Sequence, residues 1–184
     1  METFFTSDLH FGHKNIMSYD NRPFVSVEEM DTELIRRWNN KVSQKDTAYI
    51  LGDISWYPAV KTAKILRQLN GRKILIQGNH DHHLVKHPDV QKCFAEIASY
   101  KEIKLDGRRL ILFHYPIPFF NCHFHGAIHL YGHVHATQEW IITENIRRQL
   151  EAAQIPCRMY NVGCMLWNYE PVTLEEILQK EEKK

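Results

Sequence analysis

The fold class is indicated by residues 47–81, which read TAYILGDISWYPAVKTAKILRQLNGRKILIQGNHD. An apolar, β-prone run over 47–51 is followed by a helical pattern over 59–69 and by a second β-prone run over 73–77. Each β-prone run stops at a glycine followed by polar residues. A strand, a helix and a strand in succession are typical of an α/β protein.

The same alternation extends outward in both directions. Towards the amino terminus, a β-prone run at 2–6 precedes a helix to about residue 40, whose start is marked by Ser26 and Glu29 at capping-box spacing. Towards the carboxyl terminus we predict a hairpin within 102–113, a strand at 128–131, a helix at 143–154, a strand at 158–162 and a helix from Thr173. This order predicts an α/β sandwich of mixed sheets with helices on the outer faces.

The composition excludes several classes of protein. Of the 184 residues, 43% are hydrophobic and 24% are charged, with 23 basic and 22 acidic side chains. These values do not fit a disordered, collagenous or strongly basic nucleic-acid-binding chain. Because residues 1–184 contain no linker-like segment, we expect a single domain without an extended nucleic-acid surface.

Sorting signals are also absent from the sequence. No apolar run approaches the roughly 18 residues of a membrane helix, and Glu2 and Asp8 stand where a signal peptide would be basic or apolar. The four cysteines form no C-x-x-C pair, which suits a reducing compartment. We therefore expect a cytoplasmic protein with no membrane partner, with buried cysteines and with a frayed end over 180–184.

Histidine is unusually frequent, and ten of the twelve histidines lie between His80 and His135. Histidine is a common metal ligand, and metal-competent side chains follow several of the predicted strands. These candidate ligands are Asp8, His10, Asp53, Asn79, His114, His133 and His135. Since alternate side chains of an extended segment share a face, we predict that Asp8 and His10 point the same way, as do residues 133 and 135.

Seven oxygen and nitrogen ligands are too many for one ion. If Asp53 bridges, they divide into Asp8, His10, Asp53 and His135 for one metal and Asp53, Asn79, His114 and His133 for the other. Ligands of this type, without thiolate, accept manganese, iron, nickel, cobalt or zinc. We therefore predict two divalent metal ions, about 3.5–4 Å apart as in two-metal hydrolytic sites.

These blocks, taken in order, resemble a known family. Asp8-x-His10, Gly52-Asp53, Gly78-Asn79-His80-Asp81, His114 and Gly132-His133-x-His135 are similar to the calcineurin-like metallophosphoesterase superfamily. Segments 8–16, 22–24 and 161–171 resemble its small bacterial and phage branch. The resemblance implies a four-layer αββα sandwich of two mixed sheets flanked by helices.

The resemblance also implies an activity. It implies hydrolysis of small phosphate esters by a hydroxide that two metals activate. The short intervals between the ligand blocks leave no room for a lid domain, so we expect an open, shallow site that suits a phosphodiester slightly better than a phosphomonoester. Asp53 and His80 are then the catalytic residues, and His80 protonates the leaving oxygen or stabilises the transition state. For substrate binding we name Asn79, Arg22 and His13, since a guanidinium can grip a phosphate through two hydrogen bonds. The alternative for Arg22 and His13 is a structural role beside the metals.

One departure separates this chain from the protein phosphatases of the superfamily. Those carry G-D-x-x-D-R-G, whereas Gly52-Asp53 is followed here by Ile-Ser-Trp-Tyr-Pro. Trp56 and Tyr57 replace residues that would orient the histidine and grip a phosphoprotein, so we reject a phosphoprotein substrate. The group that orients His80 stays open, with Asp81 as a candidate.

Other interpretations of the motifs remain. His80-Asp81 is also the dipeptide of the HD phosphohydrolases, but those are helical and here the pair follows a strand. The H-x-H-x-D-H pattern of the metallo-β-lactamases is absent. An alternative from a different class is a metal-stabilised binding or regulatory module without turnover. We expect the remaining histidines to be structural or solvated, and the sequence does not indicate an oligomeric state.

Overall fold

Two β-sheets pack face to face in the computed structural model, which describes residues 1–182. In chain order the strands are β1 (Thr3–Thr6), β2 (Thr47–Ile50), β3 (Arg72–Ile76), β4 (Glu96–Ala98), β5 (Tyr100–Leu105), β6 (Arg108–Phe113), β7 (Ile128–Tyr131), β8 (Met159–Asn161) and β9 (Val172–Thr173). The first sheet has the order β4-β3-β2-β1-β9, and only its β1–β9 pair is antiparallel among the described strands. The second has the order β5-β6-β7-β8, in which the β5–β6 hairpin is antiparallel and the other pairs are parallel. Both sheets are mixed, as predicted.

Helices cover the sheets. Residues 1–182 form the α-helices α1 (Ile16–Tyr19), α2 (Val27–Lys41), α3 (Ala59–Leu66), α4 (Pro88–Gln91), α5 (Gln138–Ala152) and α6 (Leu174–Glu182). Helix α2 begins as predicted, with Ser26 Oγ accepting a hydrogen bond of 3.1 Å from the Glu29 N–H. The capping box at Thr173 and Glu176 is also confirmed, by reciprocal bonds of 2.7 and 3.2 Å. Among the described residues, no helix has the length and apolar character needed to span a bilayer.

The alternation of side chains along the strands defines four layers. In β1, Phe4 packs with the core beneath α2 and α3, whereas Phe5 lies between the two sheets. In β6, Leu110 and Leu112 join Phe5 in this central core, whereas Ile111 belongs to the cluster on the other face of the second sheet, against which α5 packs. Because neighbouring residues of a strand face opposite ways, this distribution gives the order helix, sheet, sheet, helix. The αββα sandwich is confirmed.

Several boundaries differ from the predictions. Helix α5 begins at Gln138 rather than 143, because Thr137 Oγ1 accepts a hydrogen bond from the Glu139 N–H and caps the helix earlier. Helix α3 ends at Leu66 rather than 69. The elements α1, α4, β4 and β9 escaped prediction because two to four residues show no measurable period. Helix α6 reaches Glu182, so 180–182 are helical rather than frayed, and the expectation for 183–184 lies outside the described residues.

The ligand-bearing segments meet at one edge of the sandwich. Strands β1, β2 and β3 are parallel and so end on the same side, as do β6 and β7 in the second sheet. Hydrogen bonds then tie the segments that follow these strands. The Asp8 N–H donates to Gly52 O at 3.0 Å, and the Gly132 N–H donates to His114 O at 2.9 Å. Between the sheets, the His133 N–H donates to the Asp8 carboxylate at 3.1 Å.

Candidate metal centre

Six of the seven predicted ligands form two compact groups. The first ligand group is Asp8, His10 and His135, and the second ligand group is Asp53, His114 and His133. Within each group, one potential ligand atom from every residue lies within 4.8 Å of the others. This division matches the one predicted from the sequence, so the structure brings the predicted residues together in the predicted sets.

Asp53 and Asn79 occupy the positions expected of shared and additional ligands. Asp53 Oδ2 lies 3.6 Å from His10 Nε2 in the first group and 3.6 Å from His114 Nε2 in the second. Asn79 Oδ1 lies 3.0 Å from His114 Nε2 and 3.0 Å from His133 Nδ1. Asp53 is therefore placed to bridge two ions, and Asn79 adds a neutral oxygen to the second group.

Left-handed backbone, and not strand alternation, aims the ligands. The φ angles are 56° at Asp8, 52° at His10, 56° at Asp53, 71° at His133 and 48° at His135. Residues other than glycine rarely adopt this region, although aspartate and histidine do so more often than most, and such residues cluster at functional sites. The prediction that the side chains converge is confirmed, but the reason given for it was wrong. Tight turns, not extended segments, follow the strands. The two residues of each pair, Asp8 with His10 and His133 with His135, both have left-handed backbone, and their side chains converge from these turns.

Glycines let the ligand segments approach closely. A Cβ on Gly78 would lie 2.7 Å from the Asp53 nitrogen, and a Cβ on Gly132 would lie 2.6 Å from Asp8 Oδ2. These separations are shorter than van der Waals contact, so a side chain at either position would displace a ligand. The two glycines are thus part of the geometry of the centre.

The buried atoms of the first group fit a metal ion. His10 is 2% exposed, and both of its ring nitrogens are buried without a hydrogen-bond partner in the described part of the chain. A buried polar atom without a partner costs about 1–3 kcal/mol. Burial and the nearby His135 hold the pKa of His10 well below its ordinary value, so its ring is neutral. A neutral imidazole with an unused lone pair is the form that binds metals.

The second group also presents lone pairs to a common point. His114 Nδ1 lies 2.7 Å from the carbonyl oxygen of Leu51, an acceptor, so Nδ1 carries the proton in the neutral ring. His114 Nε2 then offers a lone pair toward Asp53 Oδ2 and Asn79 Oδ1, which are acceptors as well. Acceptors facing one another repel unless a cation lies among them, so these residues fit a second ion.

Charge accumulates at the same point. Burial, and then the nearby Asp8 carboxylate, raise the pKa of Asp53 to about 7, against the opposing effect of His114. Two carboxylates that share a buried site favour a neighbouring positive charge. The two carboxylates repel each other, and a divalent cation bound between them would remove this repulsion. The donor set therefore suits divalent cations.

An ion pair that the sequence did not indicate backs the first group. His135 Nδ1 donates to Asp20 at 2.9 Å, and Arg22 donates to the same carboxylate at 3.0 and 3.1 Å. Burial opposes the charge on Asp20, but the hydrogen bond from His135 and the charge of Arg22 hold the pKa of Asp20 below its ordinary value. A carboxylate behind a metal-binding histidine fixes its ring and raises its basicity. No spacing motif marks Asp20 in the sequence.

The substrate-binding role predicted for Arg22 does not fit its position. The side chain is buried at 5% exposure, beneath the turn that carries Asp8 and Leu9. Its guanidinium donates to Asp8 O at 2.8 Å, to Leu9 O at 2.9 Å and to Asp20. Since these hydrogen bonds occupy the guanidinium inside the protein, Arg22 supports the turn that carries Asp8 and Leu9. The structural alternative considered for this residue is the one that the geometry favours.

The hydrogen bonds of Asp81 come from backbone N–H groups. Its carboxylate accepts backbone hydrogen bonds from Asp53 at 2.9 Å, Ile54 at 3.0 Å and Gly78 at 2.8 Å. Asp81 therefore fastens the turn after β2 to the turn after β3. Among the described residues no hydrogen bond joins the Asp81 carboxylate to the His80 ring, so these contacts do not support the candidate role.

His80 and His13 lie at the rim of the centre. The His80 side chain is 41% exposed, and its Nε2 lies 3.9 Å from Asp53 Oδ2. Partial burial lowers the pKa of His80 from its ordinary value. His13 lies beside the first group, with its ring 5.4 Å from that of His10 and stacked at 4.0 Å on the indole of Trp56. Both histidines are placed to contact a small molecule that approaches the two ligand groups.

Among the other histidines, His129 is structural. It is buried in β7, with its ring nitrogens 3.0 Å from the carbonyl oxygens of Ile111 and Tyr115. The four cysteines are free, and the described metal-competent groups include none of them. Cys157 and Cys164 are buried as expected, whereas Cys93 and Cys122 are only partly buried.

Comparisons with known proteins reveal relatives over nearly the whole chain. No family model matches the chain. The gene 66 protein of Mycobacterium phage D29 is 27% identical over 198 residues, covering 94% of this chain and 92% of the phage protein. Among solved structures, the protein of unknown function AQ665 from Aquifex aeolicus has a TM-score of 0.72 and 27% identity, covering 96% of this chain and 97% of that one.

A stronger similarity places the chain in a family. The uncharacterized protein MJ1445 of Methanocaldococcus jannaschii is 36% identical over 181 residues. The match covers 96% of this chain and 89% of MJ1445. The chain therefore belongs to the same family as MJ1445.

Proposed function

We propose that the protein is a metal-dependent phosphoesterase that hydrolyses phosphodiester bonds, and phosphomonoesters in the same site. The observation that carries the proposal is the placement of Asp53 Oδ2 at 3.6 Å from a histidine of each ligand group. Two adjacent sites that share a carboxylate are the arrangement of two-metal hydrolytic centres. The resemblance of the ordered motifs to the calcineurin-like metallophosphoesterases supports the same chemistry.

Each residue group has a distinct task in this proposal. The first group with Asp53 would hold one ion, and Asp53 with Asn79, His114 and His133 would hold the other. When bound, two divalent ions supply activation of water and neutralisation of charge on a phosphoryl group. Asp20 holds the ring of His135 in place, and Asp81 holds the backbone that carries Asp53. These contacts preorganise the centre before substrate arrives.

His80 supplies the acid in this scheme. Its imidazole stands at the rim, 3.9 Å from Asp53 Oδ2, and is partly exposed. From this place it donates a proton to the leaving oxygen or a hydrogen bond to the transition state. A partly exposed acid beside the centre leaves room for the second ester arm of a diester to extend into solvent, which favours a diester over a monoester.

Hydrolysis by reconstituted protein tests the proposal. Metal-stripped protein is loaded with manganese, nickel or zinc and assayed with bis(p-nitrophenyl) phosphate and with p-nitrophenyl phosphate. We expect turnover only after loading, with the diester preferred. The control is the Asp106→Asn variant, which changes an exposed hairpin carboxylate.

Two results would count against the proposal. Absence of turnover with every metal would contradict it. Two bound ions without turnover of either ester would favour the non-catalytic binding module considered from the sequence.

A further inference from the structure

The imidazole of His80 has an aromatic neighbour in place of a carboxylate partner. The nearest carboxylate oxygen, Asp53 Oδ2, is 3.9 Å away, which is beyond hydrogen-bond distance. The Trp56 indole, in contrast, has its ring centroid 4.2 Å from that of His80, at an interplanar angle of 53°. This distance is slightly shorter than the roughly 4.5–7 Å that separates the ring centroids of aromatic pairs, so the two rings are in direct contact. The ring of His10 also contacts His80, but at a centroid distance of 5.9 Å. Of these two aromatic neighbours, Trp56 is therefore the one that restricts the His80 ring more closely.

Trp56 is itself held firmly. Its backbone N–H donates to Phe11 O at 2.8 Å, which ties it to the segment that follows the first ligand pair. One ring contact is a parallel stack with His13, at 4.0 Å and 6°. The indole is nevertheless 45% exposed, which is a high value for a tryptophan. The indole also contacts the ring of His10, at 5.5 Å and 35°. Burial in a core does not account for the position of Trp56, but contact with His10, His13 and His80 does.

We propose that Trp56 is a positioning residue that holds the imidazole of His80 over the metal centre. This inference rests on the proposed function, in which His80 is the acid. An indole restricts the ring by contact alone, whereas a carboxylate would take up one ring nitrogen with a hydrogen bond. Both His80 nitrogens thereby remain available, and one of them can face the leaving oxygen.

A double-mutant cycle tests this role. If Trp56 acts through His80, Trp56→Ala slows the wild-type enzyme but has no further effect in the His80→Ala background, because groups acting as a unit are not additive. We expect His80→Ala to lower kcat about 10²- to 10⁴-fold and Trp56→Ala about 10- to 100-fold, as for a displaced catalytic group. The Trp56→Phe variant, which keeps an aromatic ring, recovers most of the loss. The control Phe124→Ala removes an exposed aromatic ring elsewhere and leaves the rate unchanged.

The leaving group provides a second measure. An acid matters most for a poor leaving group, so Trp56→Ala should affect kcat for an alkyl phosphodiester more than for bis(p-nitrophenyl) phosphate. KM should change less than kcat. Equal losses on both substrates, or losses that multiply in the double mutant, would overturn the positioning role while leaving the phosphoesterase function in place.

A measurement without turnover separates the inference from the function. In metal-free protein labelled at histidine, ring-current shifts from the indole mark the His80 proton resonances, which the His80→Ala spectrum assigns. We expect these shifts to disappear in Trp56→Ala and to be reduced in Trp56→Phe, with no change in Phe124→Ala. Unchanged His80 resonances in Trp56→Ala would refute the contact. Absence of turnover in the wild type with these shifts present would refute only the function.

Discussion

The two ligand groups are built from different supports. In the first group, a buried ion pair of Asp20 and Arg22 backs His135, and Arg22 also holds the turn that carries Asp8. In the second group, the backbone carbonyl of Leu51 backs His114. A carboxylate raises the basicity of a histidine ligand more than a carbonyl does. Because the two groups are similar in ligand type but differ in what backs their histidines, we expect the first group to bind an ion more tightly than the second.

Removing the shared carboxylate should have the largest effect, because it breaks both groups at once. We expect Asp53→Asn to lose tight binding of both ions and to abolish turnover, since the bridging charge is gone. Elemental analysis of dialysed protein measures the metal content. Asp106→Asn is a matched control, because both aspartates have left-handed backbone, with φ of 56° and 49°, which asparagine tolerates. Two ions retained by Asp53→Asn would contradict the bridging role.

A smaller effect, confined to one group, is expected from Gly132→Ala. The added Cβ would meet Ser7 and Asp8 Oδ2, so it should displace the first group and leave the second in place. Calorimetric titration with Mn²⁺ should then show that the tighter of two binding events is lost. The control Gly107→Ala adds backbone strain at φ of +75° with no atom within 4 Å, so it should change stability but not metal binding. Equal weakening of both events would show that the groups are not separable.

The smallest effect, and the one that sharpens the comparison most, is expected from Asp20→Asn. This change keeps the shape of the side chain and removes the charge behind His135. We expect the first ion to bind about 10- to 100-fold more weakly, as for other partners of metal-binding histidines, while the second ion is unaffected.

Stability needs its own control in this variant, because Arg22 would keep a buried charge with a neutral partner. Thermal unfolding of the metal-free protein measures that cost separately from metal affinity. Unchanged affinity for both ions would show that Asp20 serves only to neutralise Arg22.

The sequence predicts the centre well because its ligands follow regular strands. The ends of parallel strands must meet at one edge, so the order of the strands alone is enough to place Asp8, Asp53 and Asn79 together. The alternation of strands and helices predicts an α/β sandwich of mixed sheets with outer helices, whereas the four αββα layers are implied by the resemblance of the motifs.

What escapes prediction lies in irregular backbone. Asp20 and Arg22 belong to a segment without periodicity, and only the fold brings Asp20 to His135. The left-handed φ of the ligands and the backbone bonds of Asp81 likewise depend on contacts between distant turns. The direction of a side chain on such a turn does not follow from its place in the sequence, which is why the sequence leaves two roles open for Arg22 and only a candidate partner, Asp81, for His80.

In the proposed centre, two divalent ions lie side by side and share Asp53 as a ligand. Electron paramagnetic resonance of metal-free protein titrated with Mn²⁺ tests this arrangement, because ions about 3.5–4 Å apart are magnetically coupled and isolated ions are not. We expect two equivalents of bound Mn²⁺ and, at saturation, the spectrum of a coupled pair, which Asp53→Asn abolishes. One equivalent, or two with the spectrum of isolated ions, would contradict it.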